Sequence, residues 1–354
     1  MTGGPASIDA LCALVGPTDP QAGRLGALRL RTLARPHGAL GRLDDLVPRI
    51  AAIRSDPDPG PLPALVSVLA ADHGVAGQAV SALPQPAGGR MLALVRSGRA
   101  PLNLIADRVP ARVVSADFGL VEPVGEAEFR IGPGTGDICL RNAMTPAEAE
   151  RAVLNGARFL RGQLGVETAV AVGEIGVGNT TAAAALTARL LVLPAAEVVG
   201  AGSGIAPAAV ARKLTLVERA LARTEGGPAA DPLAQLAALG GYEIAGNVGV
   251  ILAAAAARRV VVLDGFITAV AALIAVRLCP PAGRYLVAAH RSAEPGHHPL
   301  LQALGLDPLL DLGLRLGVAS GAALALGLVN TTLELAHRTP RARDVGLALP
   351  AEDR

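Results

Sequence analysis

Gly173-Glu174-Ile175-Gly176-Val177-Gly178-Asn179-Thr180-Thr181 is followed at once by an alanine run from Ala182. The preceding Glu167 to Val172 is short, apolar and β-branched, the composition of a buried strand. Ala182 to Leu193 has helical composition, so the stretch reads strand, glycine turn, helix, with Asn179 or Thr180 as the expected cap. Gly176 and Gly178 free the backbone to turn N–H groups toward a ligand, and a helix N-terminus favours an anion there. The same pattern also serves as a tight turn whose glycines are needed only for packing. It lacks the Gly-Lys-Ser/Thr of a P-loop and the three-glycine dinucleotide fingerprint, so a dinucleotide oxidoreductase finds little support.

The pattern repeats along the chain. Ala64 to Ala71 is a strand run ending in Asp72-His73-Gly74, and Arg112 to Ala116 ends at Asp117. Val198-Val199 runs into Gly200-Ala201-Gly202-Ser203-Gly204 and then a helix from about Pro207, with Lys213 two turns in. Arg259 to Leu263 ends at Asp264-Gly265, and Arg284 to Ala289 ends in a polar cluster from His290 to His298. Thr145-Pro146-Ala147-Glu148 is a capping box that opens a helix. Further helices are expected from Gly241, from Phe266 and over Leu309 to Leu333. Alternating strands and helices give an α/β fold with a doubly wound parallel sheet, whose sites form at the carboxyl ends of the strands. The helical segments at the two chain ends are expected to form a separate small unit.

Bulk properties narrow the function. The 354 residues are 51% hydrophobic and carry a net charge of +2, with aromatics at 2% and no Trp. Such a chain has ample core but neither the basic surface nor the stacking platforms of a nucleic-acid binder. Lys213 is the single lysine among 32 basic residues. Cys12, Cys139 and Cys279 have no metal or CxxC spacing, and Met1 to Ala10 has no signal-peptide pattern, so a cytoplasmic location is expected. The apolar stretch Val248 to Val276 is broken by Arg258, Arg259 and Asp264, short of the roughly 20 uninterrupted residues of a membrane span.

Taken together, several blocks resemble one family, the nicotinate-nucleotide–dimethylbenzimidazole phosphoribosyltransferases of cobalamin lower-ligand assembly. They are Pro36 to Leu43, Ala71 to Val75, Val80-Ser81-Ala82, Gly134 to Asp137, Gly173 to Thr181, Gly241 to Ala245, Leu263 to Phe266, His290 to His297, and Leu309 to Gly317. They run in order over about residues 20 to 335. The resemblance implies a six-stranded Rossmann-like sheet as a large domain (61–298), with a small helical domain from 1–60 plus 299–354. It also implies a homodimer, and phosphoribosyl transfer from nicotinate mononucleotide to a benzimidazole nitrogen without metal or organic cofactor. The phosphate cradle it implies is Gly176, Gly178, Asn179, Thr180 and Thr181 with Gly202, Ser203, Gly204 and Lys213. Asp264 and Ser292 join the nucleotide side. Ser81, Leu83, Gln85, Met91 and Leu316 line the acceptor side.

The chain departs from the family pattern on the acceptor side. Where the resemblance places a glutamate as general base, after Arg315-Leu316-Gly317, this sequence has Val318. Leu83 replaces an aromatic, and Pro86-Ala87-Gly88-Gly89 replaces an acidic helix start. Glu174 and Asp264 are the carboxylates able to stand in as base. General-base catalysis is worth about 10²–10⁴-fold, less than positioning and electrostatics can supply. The expected activity is therefore a slow or acceptor-shifted transferase. The alternative is a weak or silent nucleotide-binding paralogue acting as a subunit of a heteromer.

Overall fold

The computed structural model describes residues 5–225 and 231–348; the outermost residues assigned to the small unit, 1–4 and 349–354, lie outside them. Five strands form one parallel sheet: β1 (Ala64–Ala71), β2 (Ala111–Gly119), β3 (Ala169–Ile175), β4 (Val260–Leu263) and β5 (Leu286–Ala288). Their order is β2-β1-β3-β4-β5. β1, β3, β4 and β5 are buried along their whole length, which explains their continuous apolar runs without alternation. Winding direction reverses between β1 and β3, so a crevice opens beyond their carboxyl ends, where open α/β sheets bind ligands.

The expected sixth strand is absent among the described residues. Ala195–Val198 is instead one helical turn, closed by the Val199 amide on the Ala195 carbonyl at 3.0 Å. Two valines between a proline and three glycines are too few to hold a ladder. The glycine corner that follows them nonetheless reaches the crevice.

Alanine and glycine set the packing distances. The capping box at Thr145 opens the helix Pro146–Gln163 as expected, and this helix lies against Tyr242–Ala256, whose face is wholly buried through Ala255. Contact is so close that a Cβ on Gly156 would strike the Gly246 carbonyl, and one on Gly249 the Val153 carbonyl. The apolar stretch 248–276 resolves into helix, β4 and the helix Phe266–Leu278. Among the described residues no helix is long and apolar enough to cross a membrane.

Two helix expectations are corrected. The helix after the first glycine corner is Asn179–Leu191, and its N-cap is Gly178 at φ 92°, not Asn179 or Thr180. The last long helix is Ser320–Arg338, not 309–333. Gly317, Val318 and Ala319 all adopt left-handed φ (73°, 57° and 59°), which no helix continues through. At the chain ends, helices Ile8–Cys12, Pro20–Leu30 and Leu46–Arg54 precede β1. An antiparallel bridge pairs Leu33 with Arg341, and Asn330 holds both backbone groups of Leu62.

Candidate active site

A cavity of about 170 Å³ occupies the crevice beyond β1, β3 and β4. One wall is the corner Gly176–Thr180, reached directly from β3. The amides of Asn179 and Thr181 bond back to the carbonyls of Gly176 and Gly178, at 3.5 and 3.0 Å, leaving the Thr180 amide between them. Only glycine fits at 176, where a Cβ would lie 2.6 Å from the Ala71 carbonyl oxygen. The second glycine corner, Gly202-Ser203, stands beside the first and also lines the cavity.

Lys213 lies under the junction. It is fully buried, and its Nζ donates to Thr180 Oγ1 at 2.8 Å and to the Gly200 carbonyl at 3.0 Å. Burial brings its ammonium down to about 8, against the opposing pull of Glu294. Glu294 Oε1 in turn accepts from the Gly202 amide at 2.8 Å, fixing the second corner. The cation therefore reaches the cavity only through Thr180 and the second corner.

The opposite wall is apolar: Leu83, Met91, Leu316 and Val318, with the Ser81 hydroxyl at its edge. Between the walls sits Glu174, at the carboxyl end of β3 and 8% exposed. Asn179 Nδ2 donates to its Oε2. Its Oε1 faces Gly317, lying 3.6 Å from where a Cβ on that glycine would stand. Burial, then the nearby Glu243 and Asp264, push its carboxyl up to about 8. A carboxyl near neutrality, held by one oxygen and offered by the other, suits proton transfer.

The turn carrying Val318 is fastened from two sides. Gly173 leaves room for Ala319, since an added Cβ would meet the Ala319 Cβ at 2.5 Å. Asp264 accepts from the Ala322 amide at 3.0 Å, with the amides of Gly321 and Ala319 also directed at it. Burial raises the Asp264 carboxyl above its ordinary range, against His290 and those amides. Asp264 thus lines the cavity while holding the N-terminus of Ser320–Arg338.

Fourteen of the residues singled out from sequence line this one cavity: Glu174, Val318, Gly176, Gly178, Asn179, Thr180, Gly202, Ser203, Asp264, Ser292, Ser81, Leu83, Met91 and Leu316. Four do not. Thr181 is fully buried within its helix, and Lys213 acts from beneath. Gly204 turns toward Arg315, while Gln85 Nε2 donates to the His73 carbonyl at 3.3 Å. His290, Glu294 and Arg315 also line the cavity and were not singled out. His73 and His297 are buried and do not line the cavity. His73 pairs with Glu243 at 2.7 Å, and His297 Nδ1 accepts the Ser292 amide at 2.9 Å, its ring kept neutral by burial, with a pKa of about 3. Asp72 accepts the Val121 amide at 2.9 Å, tying β1 to the loop after β2. Among the described residues no group of three His, Cys, Asp or Glu is arranged to hold a metal ion.

Sheet order, switch-point cavity and paired glycine corners over a buried cation define an open α/β protein with a ligand-sized cavity at its topological switch point. Its class is narrowed by comparison: the family profile described as Phosphoribosyltransferase matches residues 15–346. The chain is 41% identical over 345 residues to a nicotinate-nucleotide–dimethylbenzimidazole phosphoribosyltransferase of Desulforudis audaxviator, covering 96% of this chain and 97% of the relative. A protein of that name from Azotobacter vinelandii is 41% identical over 90% of this chain and 92% of its own length. The crystal structure of such an enzyme from Thermus thermophilus superposes with a TM-score of 0.87 at 38% identity, over 94% of this chain and all of the other. The chain belongs to the phosphoribosyltransferase family.

Proposed function

We propose that this protein moves the 5-phosphoribosyl group of nicotinate mononucleotide onto a ring nitrogen of a benzimidazole-like base, releasing nicotinate. The observation that carries this reading is the division of one cavity. Its anion-binding corners and its apolar wall lie on either side of Glu174. The first suits a ribose phosphate, the second a flat apolar ring.

In the proposed step, the lone pair of one azole nitrogen forms a bond to the anomeric carbon. The bond from that carbon to the quaternised pyridine nitrogen breaks, and its electron pair neutralises the leaving nicotinate ring. The proton on the other azole nitrogen passes to Glu174 Oε1. The leaving group is already activated, so the protein's chief tasks are alignment and proton removal. Val318 contributes shape but accepts no proton; of the two carboxylates beside its turn, Asp264 is engaged by the backbone amides that follow Val318, whereas Glu174 keeps Oε1 turned toward Gly317. Thr180, Ser203 and the corner amides hold the phosphate over Lys213.

The product is an α-ribazole phosphate, formed with no organic cofactor or metal in the proposed step. A cytoplasmic homodimer is the assembly we assign, with the chain ends joined at Leu33 and Arg341 as its smaller helical unit. Light scattering on the purified protein tests the assembly. The activity is tested by chromatographic detection of nicotinate released from nicotinate mononucleotide with a panel of benzimidazoles, purines and phenols. No release with any acceptor overturns the reading. Val318 favours one second reading, a silent subunit of a heteromer, which turnover by the chain alone excludes.

A further inference from the structure

Beside the main cavity lies a smaller chamber of about 70 Å³, between helices Ala87–Arg96 and Pro101–Ala106 and the turn before Ser320. Met91, Leu316, Gly317 and Val318 form walls of both spaces. The chamber is otherwise lined chiefly by Leu94, Val95, Ala100 and Leu102, so almost only carbon faces it. Water gains few hydrogen bonds in such a space.

We propose that this chamber receives an unbranched apolar arm, longer than a methyl group, carried by the acceptor base and threaded past Val318. The inference rests on the acceptor reading of the main cavity and commits it to a class of substrate. Val318 is the residue that makes the passage apolar. A carboxylate at this position would put charge on the shared wall and keep water there. The wall is also rigid, because its turn is clamped by Asp264 and seated on Gly173. At about 15 Å³ for each water-sized group the chamber of about 70 Å³ holds fewer than five, so it suits an arm of about three or four carbons.

Each buried methylene is worth about fourfold in binding. With benzimidazole and its 5-methyl, 5-n-propyl and 5-n-hexyl derivatives as acceptors, kcat/KM is expected to rise about 15-fold from methyl to propyl and to level off or fall at hexyl. Filling the chamber by Ala100→Leu should bring the propyl-to-methyl ratio near one. Leu94→Phe, at a rim position that is 42% exposed, provides the same test should the buried site tolerate substitution poorly. Using a ratio cancels any general loss of activity. Turnover of benzimidazole with no gain from the propyl arm, or a gain that survives both substitutions, overturns this inference alone. Failure of every azole to release nicotinate overturns the transferase reading and this inference with it.

Discussion

Ser203 and Ala82 are joined across two loops: the Ala82 amide donates to Ser203 Oγ at 3.1 Å. Ser81 Oγ lies 3.3 Å from the same oxygen and accepts the Leu83 amide at 3.1 Å. A serine hydroxyl has one proton to give and two lone pairs, so Ser203 can donate to a phosphate while still holding Ala82. Ser203→Ala is therefore expected to raise KM for both substrates, each by about twofold to tenfold, the worth of one hydrogen bond. Initial rates with both substrates varied measure this. A change confined to the nucleotide KM would show that the loops are not linked.

Glu174 and Lys213 set opposing pH limits. Glu174 accepts a proton only as carboxylate, which it becomes as pH rises through about 8. Lys213 is charged only below about 8. In the free enzyme, kcat/KM is expected to be bell-shaped with a narrow maximum near pH 8. A bound phosphate stabilises the ammonium, so kcat should keep the rising limb and lose the falling one at that pH. A kcat/KM profile flat from pH 6 to 9 would remove both groups from their proposed roles.

Much of this arrangement was legible in the sequence, for identifiable reasons. Five of the six expected strands form: β1, β3, β4 and β5 are buried along their whole length and their composition is unambiguous, while β2 is buried only in its second half. Val198-Val199 misled because a two-residue β-branched run before glycines carries the same signal as a strand end. Leu309 to Ala319 read as helix from its leucines and small residues, but no local pattern announces that Val318 and Ala319 sit at φ 57° and 59°. A β-branched residue there is an outlier imposed by tertiary contacts. The glycine corners were visible as site elements. His290 and Glu294 stood within the polar cluster after β5, but only the folded sheet places them beside Gly202 and Asp264. Arg315 is brought in by the irregular approach to Ser320, which sequence periodicity does not describe.

Glu174 and Val318 can be tested as a pair. If Glu174 is the base, Glu174→Gln should lower kcat by about 10²–10⁴-fold with little change in nucleotide affinity by calorimetry. Val318→Glu alone should raise kcat by less than about tenfold, since one base already serves and adjacent carboxylates raise each other's pKa. In the double variant the new carboxylate should recover most of the lost rate. A gain of about 100-fold or more from Val318→Glu alone would show that Glu174 does not fill the role.

Asp264 separates a holding role from a chemical one. Its carboxylate accepts the Ala322 amide at 3.0 Å and thereby positions the turn bearing Leu316 and Val318. Asp264→Ala leaves that buried amide without a partner, at a cost of about 1–3 kcal/mol, and loosens the apolar wall. The expected result is a lower urea midpoint and a raised acceptor KM. Asp264→Asn keeps one accepting oxygen for the Ala322 amide and spares the buried charge, but sets an NH2 among the amides of Gly321 and Ala319. It should therefore be more stable than Asp264→Ala, with kcat within about tenfold of the parent, because the proton leaves through Glu174. If Asp264→Asn instead abolished turnover while retaining parental stability and nucleotide affinity, the base would have to be Asp264.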